Sequence, residues 1–267
     1  MTDILQLPIW VTTLAVLSLC VAICVGGHLA VRAAIPKNLP RQETELAVAL
    51  MAVIAAFIGI MLAFSAVEVW EGFGSAEKAV ADEAAATAEL YRDLSVYGDE
   101  SLPARKALTT YVQTAVDDEW PKMAEGEQSP KTAAALVEVF RNLAAIEPTS
   151  PRQTVIYTEA FQRLNLVVEH RRARLLTSRT TLPPLFWLVA LLGSAIIVGY
   201  TFVYPATPMN LFLIAGLAVS LGLIFVFILE VEHPFAGSVS VEPTEMQGLL
   251  PLFEKLNAAP PALAAVK

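Results

Sequence analysis

The chain of 267 residues is 55% hydrophobic and 16% charged, with a mean hydropathy of +0.57. An ordinary soluble domain carries about 25% charged residues, so the composition excludes one. The net charge of −8 argues against nucleic acid as a partner, because a polyphosphate is held by clustered Lys and Arg.

Charge is unevenly placed along the chain. None falls between Leu46 and Val67, and none between Thr180 and Leu229. About 20 apolar residues make a helix that crosses a hydrocarbon core of roughly 30 Å, so the second interval has room for two spans and a turn. Ile9 to Val31 reads as the first span. Its apolar stretch is longer than the roughly 7–15 residues of a signal core, and no Lys or Arg precedes it, so it is expected to be retained. Trp10 sits where an interfacial anchor belongs. Cys20 and Cys24, four apart on one face, read as small buried hydrophobes. Arg32 and the turn from Pro36 to Pro40 close this span. The second span runs from Leu46 to Trp70. The third enters at Leu182-Pro183-Pro184, carries Phe186 and Trp187 as anchors and ends at Tyr200 to Tyr204. The turn Pro205 to Pro208 leads to the fourth, Asn210 to Leu229, which Glu230, Glu232 and Pro234 stop.

Between the second and third spans the punctuation is helical. Ser101 with Pro103, Ser129 with Pro130 and Ser150 with Pro151 are N-caps followed by an early proline. Ser150 and Gln153 have capping-box spacing, and Gly98, Pro121 and Pro148 supply stops. Helices are therefore expected at 75–97, 102–120, 130–146 and 151–179. The last carries the apolar stripe Val155, Phe161, Leu164, Val168, Leu175 and Leu176. The first and last are expected to continue the second and third spans without a break. The fold class is all-α and integral to the membrane. Residues 1–72 hold spans one and two, 73–180 a helical soluble domain, 181–231 spans three and four, and 232–267 a C-terminal tail. Four spans place both termini and the domain on one side. Arg171, Arg172, Arg174 and Arg179 border the third span, against Arg32, Lys37 and Arg41 in the loop opposite. The positive-inside rule makes the domain side cytoplasmic.

The second span has two unlike faces. Ala52, Ala56, Gly59, Ala63 and Ala66 form a small-residue face on which another helix can pack closely in lipid. Opposite lie Ile54, Phe57, Met61, Ser65 and Glu68, with Glu71 just beyond. This second face reads either as a hydrophobic pore constriction with an acidic mouth, or as a lipid-facing or bundle-core stripe. The basic cluster Arg171, Arg172 and Arg174 suits anionic lipid headgroups, an anion vestibule, or topological anchoring alone. Asp117-Asp118-Glu119 reads as a solvated helix end. His28, His170 and His233 lie in separate segments, and no metal site or cofactor is expected. With no phosphate loop, nucleophile elbow or zinc-protease motif, the chain does not read as an enzyme.

Several segments carry a resemblance. They are Val69-Trp-Glu71 leading into Glu77-Lys-Ala-Val-Ala-Asp-Glu83, Leu90-Tyr-Arg92, Glu119-Trp-Pro121, Leu164-Asn165, Glu232-His-Pro-Phe-Ala-Gly237 and Val241-Glu-Pro243. Together they resemble the bacterial "bestrophin-like domain" membrane proteins, from about Leu46 to Leu250. More distantly the chain is similar to bestrophins, homopentameric ion channels of four transmembrane helices per subunit. Their second helix lines a hydrophobic neck, and their cytosolic helices lie between spans two and three. An acidic-Asn-Pro-Phe-Gly segment follows their last span. Here His233 replaces the Asn, Ala236 precedes Gly237, and the acidic run of calcium-gated members is missing, which tells against calcium gating. The resemblance implies a homo-oligomeric, multi-pass ion channel of the cell inner membrane, in contact with the lipid bilayer and passing small ions. The alternative is a non-conducting sensor or scaffold whose helical domain binds a partner.

Overall fold

The computed structural model describes residues 8–34 and 41–258. The turn from Pro36 to Pro40 and Lys37 lie outside the described residues. Among those described there is no strand. Four helices are long and apolar enough to cross a membrane: α1 (Ile9–Ala34), α2 (Arg41–Tyr97), α7 (Pro184–Thr201) and α8 (Pro208–Val231). Between α2 and α7 come α3 (Leu102–Thr114), a π turn (Ala115–Glu119), α4 (Trp120–Ala124), α5 (Pro130–Ala144) and α6 (Pro151–Thr177). After α8 follow α9 (Thr244–Gln247) and α10 (Leu249–Ala258).

The chain forms two compact units. The first takes in α1, α2 as far as Gly72, α7 and α8. Its helices pack through small residues, as helices do where hydrocarbon gives them no reason to hide apolar surface. α1 lies along α8 around Cys24, Ile214 and Ala218. A Cβ at Gly222 would stand 2.7 Å from Leu17 Cδ2, so any larger residue there would have to displace the Leu17 side chain. Gly193 plays the same part between α7 and α2, where a Cβ would fall 2.2 Å from Ile58 Cδ1.

The second unit comprises the rest of α2, α3 to α6, and α9 and α10. α5 shows why these residues make helices. Thr132, Ala135, Leu136, Val139 and Leu143 recur at helical spacing and are all buried, and α5 packs on α3. Each Val or Leu so buried contributes about 1.5–3 kcal/mol. The core adds Leu90, Leu94, Leu108 and Leu164. α10 seals it, with the Phe253 ring stacked on Tyr91 at 3.8 Å and Asn257 bonded to both Arg105 and the Tyr91 hydroxyl.

Local expectations meet mixed outcomes. Ser129 caps α5 by accepting from Thr132 N at 3.0 Å, and Ser150 caps α6 by accepting from Gln153 N at 3.2 Å. Gln153 reaches back to Thr149 N instead of Ser150 N. Ser101 caps nothing: its hydroxyl donates to the carbonyls of Leu94 and Gly98. α2 runs unbroken past Gly72 and Gly74 as expected, whereas α6 and α7 are separate helices. Pro183 and Pro184 lack the amides that would carry the ladder through. Pro121 does not stop its helix either, because it sits in the first turn of α4, where no amide is needed. The run ends at Gly126, which takes φ +75. On α6, Val155 and Leu176 face outward at 70% and 66% exposure, and the buried residues are Ala160, Leu164, Val167, Arg174 and Leu175.

Candidate functional site

Within the first unit α2 turns one side to its own chain. Leu62 and Val69 are buried, and Ile58 meets Gly193. Ile54, Met61 and Ser65 are half-buried at the margin of that side, and the Ser65 hydroxyl is satisfied internally by Met61 O at 2.9 Å. Phe57 is 71% exposed, and Glu68 and Glu71 are exposed as well. So are Ala52, Ala56, Gly59 and Ala63, while Ala66 is half-buried. A Cβ added at Gly59 would meet nothing within 4 Å. The small-residue stripe and the Phe57 edge therefore share one uncovered, largely apolar surface. At about 100° per residue, Phe57, Met61 and Glu68 fall in one line at its edge.

The basic cluster divides. Arg172 is exposed, but Arg174 has no exposed surface and Arg171 very little. Arg174 Nε donates to Glu83 Oε2 at 2.7 Å, and its Nη2 is shared between Glu83 Oε1 at 3.1 Å and Glu119 Oε2 at 2.9 Å. Its Nη1 lies 3.0 Å from Met123 Sδ, and the guanidinium carbon is 4.9 Å from the centre of the Trp120 ring. Arg171 closes the network by donating to both oxygens of Glu119, and the Tyr111 hydroxyl donates to Glu83. Two guanidinium groups thus face two carboxylates, with no net charge left over.

Burial works against the Arg174 charge, but Glu83, Tyr111 and Glu119 outweigh it and hold its pKa above the usual value. Burial raises Tyr111 well above its ordinary range, and Glu83 adds to that, so the phenol stays a neutral donor. Glu119 reaches the network from the π turn, a form of backbone insertion often found at functional positions. There the Thr114 carbonyl accepts from Thr132 Oγ1 at 2.9 Å. The reading of Asp117-Asp118-Glu119 as a solvated end is corrected: Glu119 is fully buried. Asp118 bonds Lys122, Ser129 and Lys131, and these partners, Lys122 foremost, hold its carboxyl below the usual range.

Glu83, Glu119, Tyr111 and Trp120 were not singled out as site residues. The signal was present in the spacing. Glu83 falls among Ala76, Val80, Ala84, Leu90 and Leu94, and Arg174 continues the series Ala160, Leu164 and Val167. A charge at a core position of a helical period marks a buried pair.

Three of the segments that carry the resemblance meet at Trp120. Trp120 Nε1 donates to Val241 O at 2.9 Å, and the Phe235 ring meets Trp120 edge-on at 5.8 Å. Val241 N closes the loop by donating to Pro234 O at 2.7 Å, and Gly237 takes the φ of +86 that the bend needs. In the first unit Glu232, at the end of α8, accepts from Leu182 N at 2.7 Å ahead of α7. Trp120, Glu232, Pro234, Phe235, Gly237 and Val241 thus each have a structural task. Neither the curated proteins nor the solved structures include a match to this chain. The family described as Bestrophin-like domain matches residues 18–246. That span includes every one of these motif segments, and the chain belongs to the bestrophin-like domain family.

Proposed function

We propose that copies of this chain assemble in the cell inner membrane as an ion channel whose constriction is built from α2. The observation that carries the reading is the uncovered side of α2, where Ala52, Ala56, Gly59 and Ala63 lie beside the exposed Phe57. Small residues in lipid invite the close approach of another helix, and open space at Gly59 leaves room for one from a second copy. The family relationship supports the same arrangement, because the bestrophins that the chain resembles are homopentamers whose second helix lines the neck. On this reading Phe57, flanked by Ile54 and Met61, faces the symmetry axis. Ser65, Glu68 and Glu71 form its polar mouth, and the second unit faces the cytoplasm.

A ring of apolar side chains closes a pore by dewetting. Trimming it with Phe57→Ala and Met61→Ala should raise ion flux through the purified protein in liposomes. Glu68→Gln should shift selectivity away from cations, since a carboxylate ring attracts them. If the doubly trimmed protein stays assembled yet conducts no better than empty liposomes, the non-conducting sensor or scaffold takes its place.

A further inference from the structure

The first unit holds a cavity of about 300 Å³, at the small end of the roughly 300–1,000 Å³ found for small-molecule sites. It lies where α7 ends and α8 begins. Met51 of α2 and Leu213, Ile214 and Leu217 of α8 form its apolar wall; Thr201, Tyr204 and Asn210 form its polar end. The geometry points to a site for one acyl chain of a bilayer phospholipid, with the chain's ester carbonyl at Tyr204 and Asn210.

Depth comes first. The turn between two candidate spans cannot lie in hydrocarbon, where the carbonyls freed at the end of α7 would go unsatisfied, so Tyr204 and Asn210 stand near the interface and tyrosine is at home there. From Asn210 to Leu217 the wall descends two turns of α8, roughly 10 Å, away from that turn. The lining therefore changes from polar to apolar in the direction in which a lipid changes from ester to chain.

Polarity selects the ligand further. Among the described residues no charged side chain lines the cavity, so a bare carboxylate or ammonium would find no counter-charge from them, at a depth where one is costly. An ester carbonyl needs only donors. The Tyr204 phenol is one. Asn210 Nδ2 already donates to Pro205 O at 2.8 Å, but an amide has two N–H groups, and the second is available. The Thr201 hydroxyl is committed to Val198 O at 2.6 Å and adds bulk, not specificity. Left empty, the wall would forfeit its dispersion contacts, and in a bilayer the molecule at hand to restore them is an acyl chain.

This inference is independent of conduction and needs only the membrane setting. The test uses the full chain in liposomes containing phosphatidylcholine with a photoreactive diazirine in its acyl chain. Label should accumulate on Leu213–Leu217 several-fold above Leu188–Leu192 of α7, a stretch with comparably exposed leucines. Tyr204→Phe should reduce that excess, and Leu217→Trp, which fills the cavity, should abolish it. The parent ratio stands without either variant. Equal labelling of the two segments would mean annular lipid only, and weaker labelling of Leu213–Leu217 would mean that a second copy covers the cavity. Displacement by oleate but not by unlabelled phosphatidylcholine would mean a free fatty acid. Any of these three results overturns the assignment.

Discussion

Removing the Arg174 side chain would strand carboxylates where water does not reach. Glu83 and Glu119 are both fully buried, and only Glu119 keeps a second guanidinium, that of Arg171. Losing one partner of a buried pair costs about 3–5 kcal/mol, chiefly because the other charge is left uncompensated. Arg174→Met keeps much of the stem's bulk and should lower the thermal midpoint of the purified protein sharply. Adding Glu83→Gln should recover part of that loss, since the amide removes the stranded charge and can still accept from Tyr111. A double variant as unstable as the single one would place the cost in packing and not in the ion pair. Two observations were open to a reader of the sequence, Arg174 on an apolar stripe and Glu83 on another, yet the basic run around Arg171 invited a surface reading. Which acid meets which base is decided by tertiary packing, and no local spacing encodes it.

Helix positions were legible from their ends, and helix faces were not. Ser129 and Ser150 mark the starts of α5 and α6 because each side chain has a free amide to satisfy. α2 offers no such contrast: from Leu46 to Val67 it is apolar or small all round, and periodicity cannot say which side its own chain will cover. Two glycines show what the structure adds. Gly193 lies against Ile58 with no room for a methyl, while Gly59 has open space. Gly193→Ala should destabilise the unit by about 1–3 kcal/mol, the usual cost of overpacking. Ile58→Ala in the same chain should restore part of it by giving back the space. Gly59→Leu should leave the thermal midpoint of the isolated subunit nearly unchanged, yet shift the proposed assembly to smaller species in light scattering. An assembly that tolerates Gly59→Leu would mean that this side of α2 meets lipid.

At the scale of the whole molecule, orientation is set while the chain inserts and not by the folded positions of the arginines. Arg171 and Arg174 are paired with Glu119 and Glu83 in the folded chain, which leaves less free basic charge ahead of the third span. The positive-inside rule, however, acts on the chain during insertion, counting Lys and Arg within about 15–20 residues of a span, before any such pair has formed. Arg171, Arg172, Arg174 and Arg179 therefore all count, against Arg32, Lys37 and Arg41 on the other side. Four spans return the chain to the side where it began, so residues 73–180 and both termini are expected in the cytoplasm. A single cysteine reports this, once Cys20 and Cys24 have been replaced. Gly98 is a poor place for it, since its φ of +117 strains any side chain, but the neighbouring Asp99 is exposed. Asp99→Cys should resist an impermeant thiol reagent in intact cells and react once the membrane is opened. Ready labelling in intact cells would invert the topology, and would turn the proposed acidic mouth at Glu68 and Glu71 toward the outside.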